Sequence, residues 1–167
     1  MFNVDMAFKK IINDPYQVVD EMVEGIVLAH SGLLKFANNN KRAVVRKDAP
    51  IKDKVGVLIG GGSGHEPAFL GYVGKGLADG AAIGNVFASP SPDPIVDATK
   101  AINGGRGVVY MYGDYAGDIM NFDMAAEMCQ MEEIPVKTVL VTDDIASSPL
   151  EKKSERRGVA GDFYVFK

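Results

Sequence analysis

One stretch of glycines constrains the fold of this chain more than any other feature. Residues 60–67 read Gly-Gly-Gly-Ser-Gly-His-Glu-Pro and directly follow the apolar run Val55–Ile59. That run is typical of a strand buried on both faces of a parallel sheet. The glycines weaken a strand, but they let a ligand approach the backbone closely. Because His65 follows them, the end of this strand is a candidate ligand loop at the edge of an open α/β sheet.

The two common phosphate-binding loops do not fit this stretch. The dinucleotide fingerprint G-x-G-x-x-G needs glycine where His65 or Pro67 stands, depending on its first glycine. The P-loop needs Ser or Thr after Gly-Lys, and Gly74-Lys75 is followed by Gly76. Two interpretations remain: a ligand loop of another kind, or a tight strand-to-helix turn that binds nothing.

Composition excludes several classes of partner. The chain has 167 residues, which fits one domain, and a net charge of −4, which favours neither nucleic acid nor an anionic membrane. Cys129 is the only cysteine, so no internal disulfide can form and a reducing compartment is expected. The N-terminus is polar at Asp5, Lys9 and Lys10, and no apolar run has membrane length. We therefore expect a cytoplasmic protein.

Predicted strands and helices alternate along the chain. Apolar runs predict strands at Val55–Ile59, Ala81–Phe87, Val108–Tyr112 and Val136–Val141. Helical spacing and end signals predict helices from Pro15, after a cap at Asp14, to His30, from Pro94, after a cap at Asp93, to Asn103, and from Ile119 to Met131. This alternation predicts an α/β fold, a mostly parallel sheet with helices on both faces (a three-layer sandwich).

Two further regions carry weaker signals. The basic residues between 33 and 54 predict a solvated surface, with Val44-Val45 as a short edge strand. Met120, Met124 and Met128 recur at helical spacing, which is more typical of a core than of a cofactor site.

Right-handed crossovers would bring the strand ends to one edge of the sheet. His65, Ser89, Asp118 and Asp143 would then approach one another there. A histidine and a carboxylate in this arrangement can share acid–base work on a hydroxyl group. The alternatives are an N-cap role for Asp118, which is compatible with catalysis, and a turn role for Ser89.

Five motif blocks, in order, resemble the dihydroxyacetone kinases. They match the N-terminal half of that family's substrate-binding (K) domain and cover nearly the whole chain. The blocks are Gly60–Pro67, Gly71–Gly76, Val86–Pro90, Ala116–Asp118 with Asn121-Phe122, and Arg156–Gly158.

The resemblance implies a small ketose substrate, dihydroxyacetone or an erythrulose-like ketose, bound covalently as a hemiaminal to a histidine. The glycine loop, with Gly62, Ser63 and Gly64, would hold the ketose together with Ser89. His65 would hydrogen-bond it, and Asp118 would assist the hydroxyl that receives phosphate. The resemblance further implies a homodimer and no metal or cofactor bound by this chain. ATP with magnesium, or a bound ADP, would come from a nucleotide-binding L domain or subunit.

The sequence departs from the family in two respects. The covalent histidine belongs to the second half of the K domain, so we expect residues 1–167 to be inactive alone. They are either a truncated half of that domain or a natural subunit that continues its core in a partner. Gly113-Asp114-Tyr115 replaces a common Lys-Asn-Tyr, which makes erythrulose an alternative substrate. Two other functions stay open: a ketose-sensing co-regulator without catalysis, and a generic α/β ligand domain.

Overall fold

The computed structural model describes residues 11–158 and 160–167. The polar N-terminal residues Asp5, Lys9 and Lys10 lie outside the described residues. The strands are β1 (Leu34–Ala37), β2 (Asn40–Arg46), β3 (Gly56–Ser63), β4 (Gly80–Val86), β5 (Val108–Gly113) and β6 (Val136–Val141). The α-helices are α1 (Val18–Ala29), α2 (Pro92–Ile102), α3 (Ala116–Met131) and α4 (Asp162–Phe166), with 3₁₀ helices at Leu70–Tyr72 and Leu150–Glu155.

Within this part of the chain the strands form one six-stranded sheet in the order β1-β2-β4-β3-β5-β6. β4, β3, β5 and β6 run parallel. β2 is antiparallel both to β4 and to β1. The predicted mostly parallel sheet is therefore confirmed, and the carboxyl ends of β3, β4 and β5 lie side by side.

Hydrophobic cores lie on both faces of the sheet. Successive side chains of a strand point to opposite faces, and Leu58 and Ile59 of β3 separate in this way. Leu58 belongs to a core with Ile95 of α2 and Phe122 of α3. Ile59 belongs to a second core with Val23 of α1, and Phe166 of α4 packs there too. The three-layer arrangement is thus confirmed.

The expectation of a solvated surface between residues 33 and 54 holds for the exposed Lys41 and Lys47 but is wrong for the buried Arg46. The strand at Val44-Val45 is not at the edge of the sheet. This region forms β1 and β2, and β2 lies inside the sheet, with Val44 and Val45 fully buried. The basic residues are accommodated because carboxylates meet them. Arg42 pairs with Asp20 of α1, and the buried Arg46 pairs with Asp79.

Helix starts differ from the sequence expectation by a few residues. α1 begins at Val18, and Asp14 instead forms a preceding turn in which its Oδ1 accepts from the Tyr16 N–H at 2.8 Å. α2 begins at Pro92 rather than Pro94, after Ser91 and not Asp93. α3 begins at Ala116, which places Asp118 inside the first turn and not at the N-cap.

The side chains along α3 are only partly as expected. Cys129 is buried as a small apolar residue. Met120 and Met124 are 61% and 48% exposed, so the prediction of a methionine core is wrong for both. Helical spacing alone does not tell which face of a helix meets the sheet. No helix in the described ranges is long and apolar enough to cross a membrane.

Candidate functional site

The carboxyl ends of β3, β4 and β5 surround a cavity of about 420 Å³. We call it the outer cavity. The polar groups predicted for this edge meet there, because His65, Ser89 and Asp118 all line it together with Gly62. Asp143 does not line it, and its carboxylate accepts a hydrogen bond from the Gly161 N–H at 2.8 Å.

Glycine is required where the loop after β3 passes the loop after β4. A Cβ atom on Gly62 would lie 2.7 Å from the backbone nitrogen of Ala88 and 2.9 Å from its carbonyl oxygen. Gly64 has a φ of +106°, a backbone conformation that glycine adopts without strain. Its N–H donates to the Glu66 carboxylate, which fixes the turn that presents His65.

The Ser63 side chain does not line the outer cavity. Ser63 is buried, and its hydroxyl donates a hydrogen bond to the Gly84 carbonyl at 2.9 Å. This bond ties the end of β3 to β4, where the register between the two strands shifts. The side chain therefore shapes the glycine loop, which leaves only the backbone of Ser63 for a ligand.

Two phenylalanines surround the His65 ring. The ring lies edge-on to Phe69, with centroids 5.6 Å apart, and to Phe87, with centroids 5.9 Å apart. Such edge-to-face contacts orient a ring without using its nitrogens. Both imidazole nitrogens of the exposed His65 can therefore serve a ligand.

The Asp118 carboxylate lines the outer cavity and has an oxygen that is able to accept a proton or a hydrogen bond. Its Oδ1 is buried and has no hydrogen-bond partner among the described residues. Burial raises the pKa of the Asp118 carboxyl, while the hydrogen bond from Ser89 and the charge of His65 lower it. Burial has the largest effect of the three. It raises the pKa because a low-dielectric environment disfavours the charged carboxylate.

Asn121 adds a contact that the sequence did not predict. Its side-chain amide donates to the Ser89 hydroxyl at 3.2 Å, and the same hydroxyl lies 3.2 Å from the Pro90 carbonyl. The spacing between Asp118 and Asn121 was the available signal. It places both residues on one face of α3, one turn apart.

A second, smaller cavity of about 220 Å³ adjoins the outer one. We call it the inner chamber. Gly62, His65, Tyr115 and Asp118 line both spaces, so they form the wall between them. The inner chamber extends toward α4, whose Asp162 also lines it.

Asp162 is a buried carboxylate that the sequence did not single out. It is 7% exposed, and its Oδ1 has no hydrogen-bond partner within the described part of the chain. Burial, with the charges of Asp143 and Asp118, raises its pKa to about 7. The signal in the sequence was an acidic residue inside the apolar segment that ends the chain.

The described residues contain no group of three or more His, Cys, Asp or Glu side chains that could hold a metal ion. The polar groups at the strand ends are instead suited to hydroxyl and carbonyl oxygens. Fold and cavity together define an α/β domain with a candidate site for a small polar molecule at the carboxyl ends of its parallel strands.

The chain belongs to the Dak1 domain family, because the family model for the Dak1 domain matches residues 24–167. Among curated proteins, it is 54% identical over 159 residues to a dihydroxyacetone-binding subunit DhaK of a PTS-dependent dihydroxyacetone kinase from Listeria innocua. That match covers 95% of this chain and 47% of the relative. It is also 45% identical to the L-erythrulose kinase of Pectobacterium atrosepticum, over 94% of this chain and 26% of the relative.

Solved structures share the fold. The dihydroxyacetone kinase from C. freundii, crystallised with AMP-PNP and Mg²⁺, matches with a TM-score of 0.84 and 35% identity over 95% of this chain and 29% of that chain. The dihydroxyacetone kinase operon co-activator DhaQ matches with a TM-score of 0.79 and 31% identity, over 89% of this chain and 45% of that chain. The chain spans about half the length of the dihydroxyacetone-binding subunit that it matches.

Proposed function

We propose that this chain forms part of the ketose site of a dihydroxyacetone kinase, which phosphorylates dihydroxyacetone or a similar small ketose. The observation that carries the proposal is the Asp118 carboxylate. Its Oδ1 is buried without a partner in the described residues, beside His65 and the glycine loop. A buried acceptor without a donor is costly, and a substrate hydroxyl group would supply that donor.

Asp118 would act as the general base. A base works best when its pKa approaches the working pH, and burial moves the pKa of Asp118 in that direction. The carboxylate would take the proton of the ketose hydroxyl as the hydroxyl oxygen attacks the γ-phosphorus of ATP from the partner domain and the bond to the departing ADP breaks. The Ser89 hydroxyl lowers the pKa of the same carboxyl, against the larger effect of burial.

His65 and the glycine loop would hold the ketose. The imidazole is oriented by Phe69 and Phe87, which leaves its nitrogens for a ketose oxygen. Gly62 lines the outer cavity, so its backbone is available to the ketose, and Ser63 and Gly64 continue the same loop. Backbone N–H groups exposed in such a turn are suited to oxygen ligands.

The phosphate donor and the covalent histidine would lie outside this chain. We propose that ATP with magnesium, or a bound ADP, is supplied by a separate nucleotide-binding domain or subunit. Residues 1–167 alone would then be inactive. A homodimer belongs to the same proposal, which rests here on the family resemblance, and light scattering would test it.

Dihydroxyacetone and erythrulose both suit the site. The outer cavity of about 420 Å³ exceeds what a three-carbon ketose needs, since about 150 Å³ is enough for benzene. Gly113 lines the inner chamber with no side chain of its own. The likeness to an L-erythrulose kinase supports the four-carbon ketose as the alternative.

A sensing role is the second candidate. It is favoured by the structural likeness to an operon co-activator. A sensor would bind ketose without phosphorylating it, whereas a kinase subunit would do both. Turnover of the complete gene product, supplied with a nucleotide-binding subunit and its phosphate donor, distinguishes the two roles.

The test of the site combines mass and kinetics. Intact mass spectrometry with dihydroxyacetone should show a mass gain for the complete gene product and none for residues 1–167. In the complete protein, Asp118→Asn should reduce kcat on the order of 10²-fold or more, and His65→Ala should also impair turnover. Asp123→Asn, an exposed carboxylate on the same helix, is the matched control. Unchanged turnover in both site variants would overturn the assignment.

A further inference from the structure

The inner chamber has a polar group that the proposed mechanism does not use. Asp118 and His65 belong to the wall shared with the outer cavity, whereas Asp162 lines only the inner chamber and not the outer cavity. Asp162 is 7% exposed, and its Oδ1 has no hydrogen-bond partner in residues 11–158 and 160–167. A buried polar atom without a partner costs free energy that a ligand can recover.

Two glycines make room for this carboxylate. A Cβ atom on Gly158 would lie 3.0 Å from Oδ1 of Asp162, and one on Gly113 would lie 3.1 Å from Oδ2. Both distances are shorter than ordinary van der Waals contacts, so larger residues would press on the carboxylate. The carboxylate thus occupies space that the backbone of β5 and the segment before α4 leave free.

We propose that Asp162 is a specificity-determining residue, which hydrogen-bonds the hydroxyl group at the non-reacting end of the ketose inside the inner chamber. This inference rests on the proposed ketose site. With one hydroxyl at Asp118, the remainder of a short ketose extends either to solvent or into the adjoining chamber. The chamber's volume of about 220 Å³ is sufficient for that end, because about 150 Å³ already holds benzene.

The rest of the chamber supports a single polar contact at this place. Phe69 and Phe163 supply apolar walls, while His65, Tyr115 and Asp118 face it from the shared side. A mostly apolar pocket with few polar groups fixes the orientation of a ligand through those groups. A site built around a hydroxyl group discriminates strongly against an analogue that lacks it.

Hydroxyacetone is the probe that isolates this contact. It keeps one terminal hydroxyl and lacks the other, so the reacting end is preserved and the end assigned to Asp162 is apolar. Dissociation constants of dihydroxyacetone and hydroxyacetone are measured by calorimetry on the complete gene product and its variants. Binding is read without turnover, so the result does not depend on whether the protein is a kinase or a sensor.

The wild-type protein should prefer dihydroxyacetone, and Asp162→Leu should reduce that preference on the order of 10-fold. Asp162→Asn keeps the size and some hydrogen bonding, so its loss should be smaller, and it carries the test if the leucine variant does not fold. Asp123→Asn, a carboxylate outside both spaces, should leave the preference unchanged.

Two results would overturn the role of Asp162, and they differ in whether the proposed ketose site is overturned as well. If dihydroxyacetone binds but the foldable Asp162 variants keep the wild-type preference, the role of Asp162 fails and the proposed function stands. If the wild-type protein binds neither ketose, the proposed function fails together with it.

Discussion

The Asn121 side-chain amide donates a hydrogen bond to the Ser89 hydroxyl oxygen over 3.2 Å and so joins α3 to the loop after β4. Because this bond uses Ser89 as an acceptor, the hydroxyl proton remains for the Asp118 carboxylate or the Pro90 carbonyl. The bond from Ser89 to Asp118 lowers the pKa of that carboxyl, against the larger effect of burial. The pair therefore sets the proton affinity of the proposed base.

Ser89→Ala should raise the pKa of Asp118, because the bond that favours its charged form is lost and burial is then opposed only by His65. A base must be deprotonated to act, so the acidic limb of the pH profile of kcat/KM should move to higher pH. Asn121→Ala should shift the acidic limb in the same direction by a smaller amount.

Ser91→Ala, whose side chain makes no cap hydrogen bond at the start of α2, should leave the limb in place. A limb unmoved by Ser89→Ala would contradict Asp118 as the titrating base.

The backbone contact at Gly62 predicts a loss of stability on a minimal substitution. In Gly62→Ala the added Cβ would lie 2.7 Å from the Ala88 nitrogen and 2.9 Å from the Ala88 carbonyl oxygen, and these backbone atoms cannot swing aside as the end of a side chain could. We expect a cost of about 1–3 kcal/mol in the free energy of unfolding, typical of overpacking, measured by urea denaturation. Gly74→Ala is the matched control, since a Cβ there would meet nothing within 4 Å. Equal stability of the two variants would show that the loops separate freely.

The sequence predicted the parallel part of the sheet well, and the reasons are local. β6 has the bounds Val136–Val141 that the apolar run indicates. The order of strands and helices then determined which loops share an edge, and this was enough to bring His65, Ser89 and Asp118 together. Position along the chain was sufficient for these residues because each lies in the loop or the first helical turn that follows a strand.

The parts that were not predicted depend on tertiary pairing. β2 reads as a polar segment because Arg42 and Arg46 belong to it, and only the folded chain shows the carboxylates that meet them. Asp162 was missed for a related reason. Its burial arises when α4 packs onto the sheet through Phe166; the apolar residues around Asp162 indicate a buried segment, but not that the carboxylate itself faces the interior.

The buried Asp162 carboxyl should make stability depend on pH. Its pKa of about 7 lies above the ordinary value of 3.8, so between these values the unfolded chain releases a proton that the native state keeps. The stability of the wild-type protein should therefore fall through this contribution as pH rises from about 4 to 7. His65, Tyr115 and Asp118 line the same chamber, and they remain unchanged in the variant.

Asp162→Asn removes this contribution without changing the size of the side chain. The Tm of the variant minus that of the wild-type protein should be more positive at pH 8 than at pH 5. Differential scanning calorimetry at the two pH values measures this difference, and titrating groups that do not interact with Asp162 cancel in the subtraction. A difference that is the same at both pH values would mean that Asp162 titrates normally.

The ion pairs around Asp79 predict the largest single loss of stability. Asp79 is 3% exposed and accepts hydrogen bonds from Nη1 of Arg46 and the N–H of Val57, both at 2.9 Å. Lys54 pairs with Oδ2 of Asp79, the oxygen that also accepts from Val57. Asp79→Ala would leave the buried Arg46 guanidinium without this partner, at a cost of about 3–5 kcal/mol. Asp48, the exposed partner of the same arginine, provides the control, because its carboxylate is solvated and Arg46 keeps its buried partner Asp79 in Asp48→Ala, so the cost should be far smaller. Urea denaturation of both variants checks the difference, and similar losses would mean that the guanidinium is solvated in the native protein.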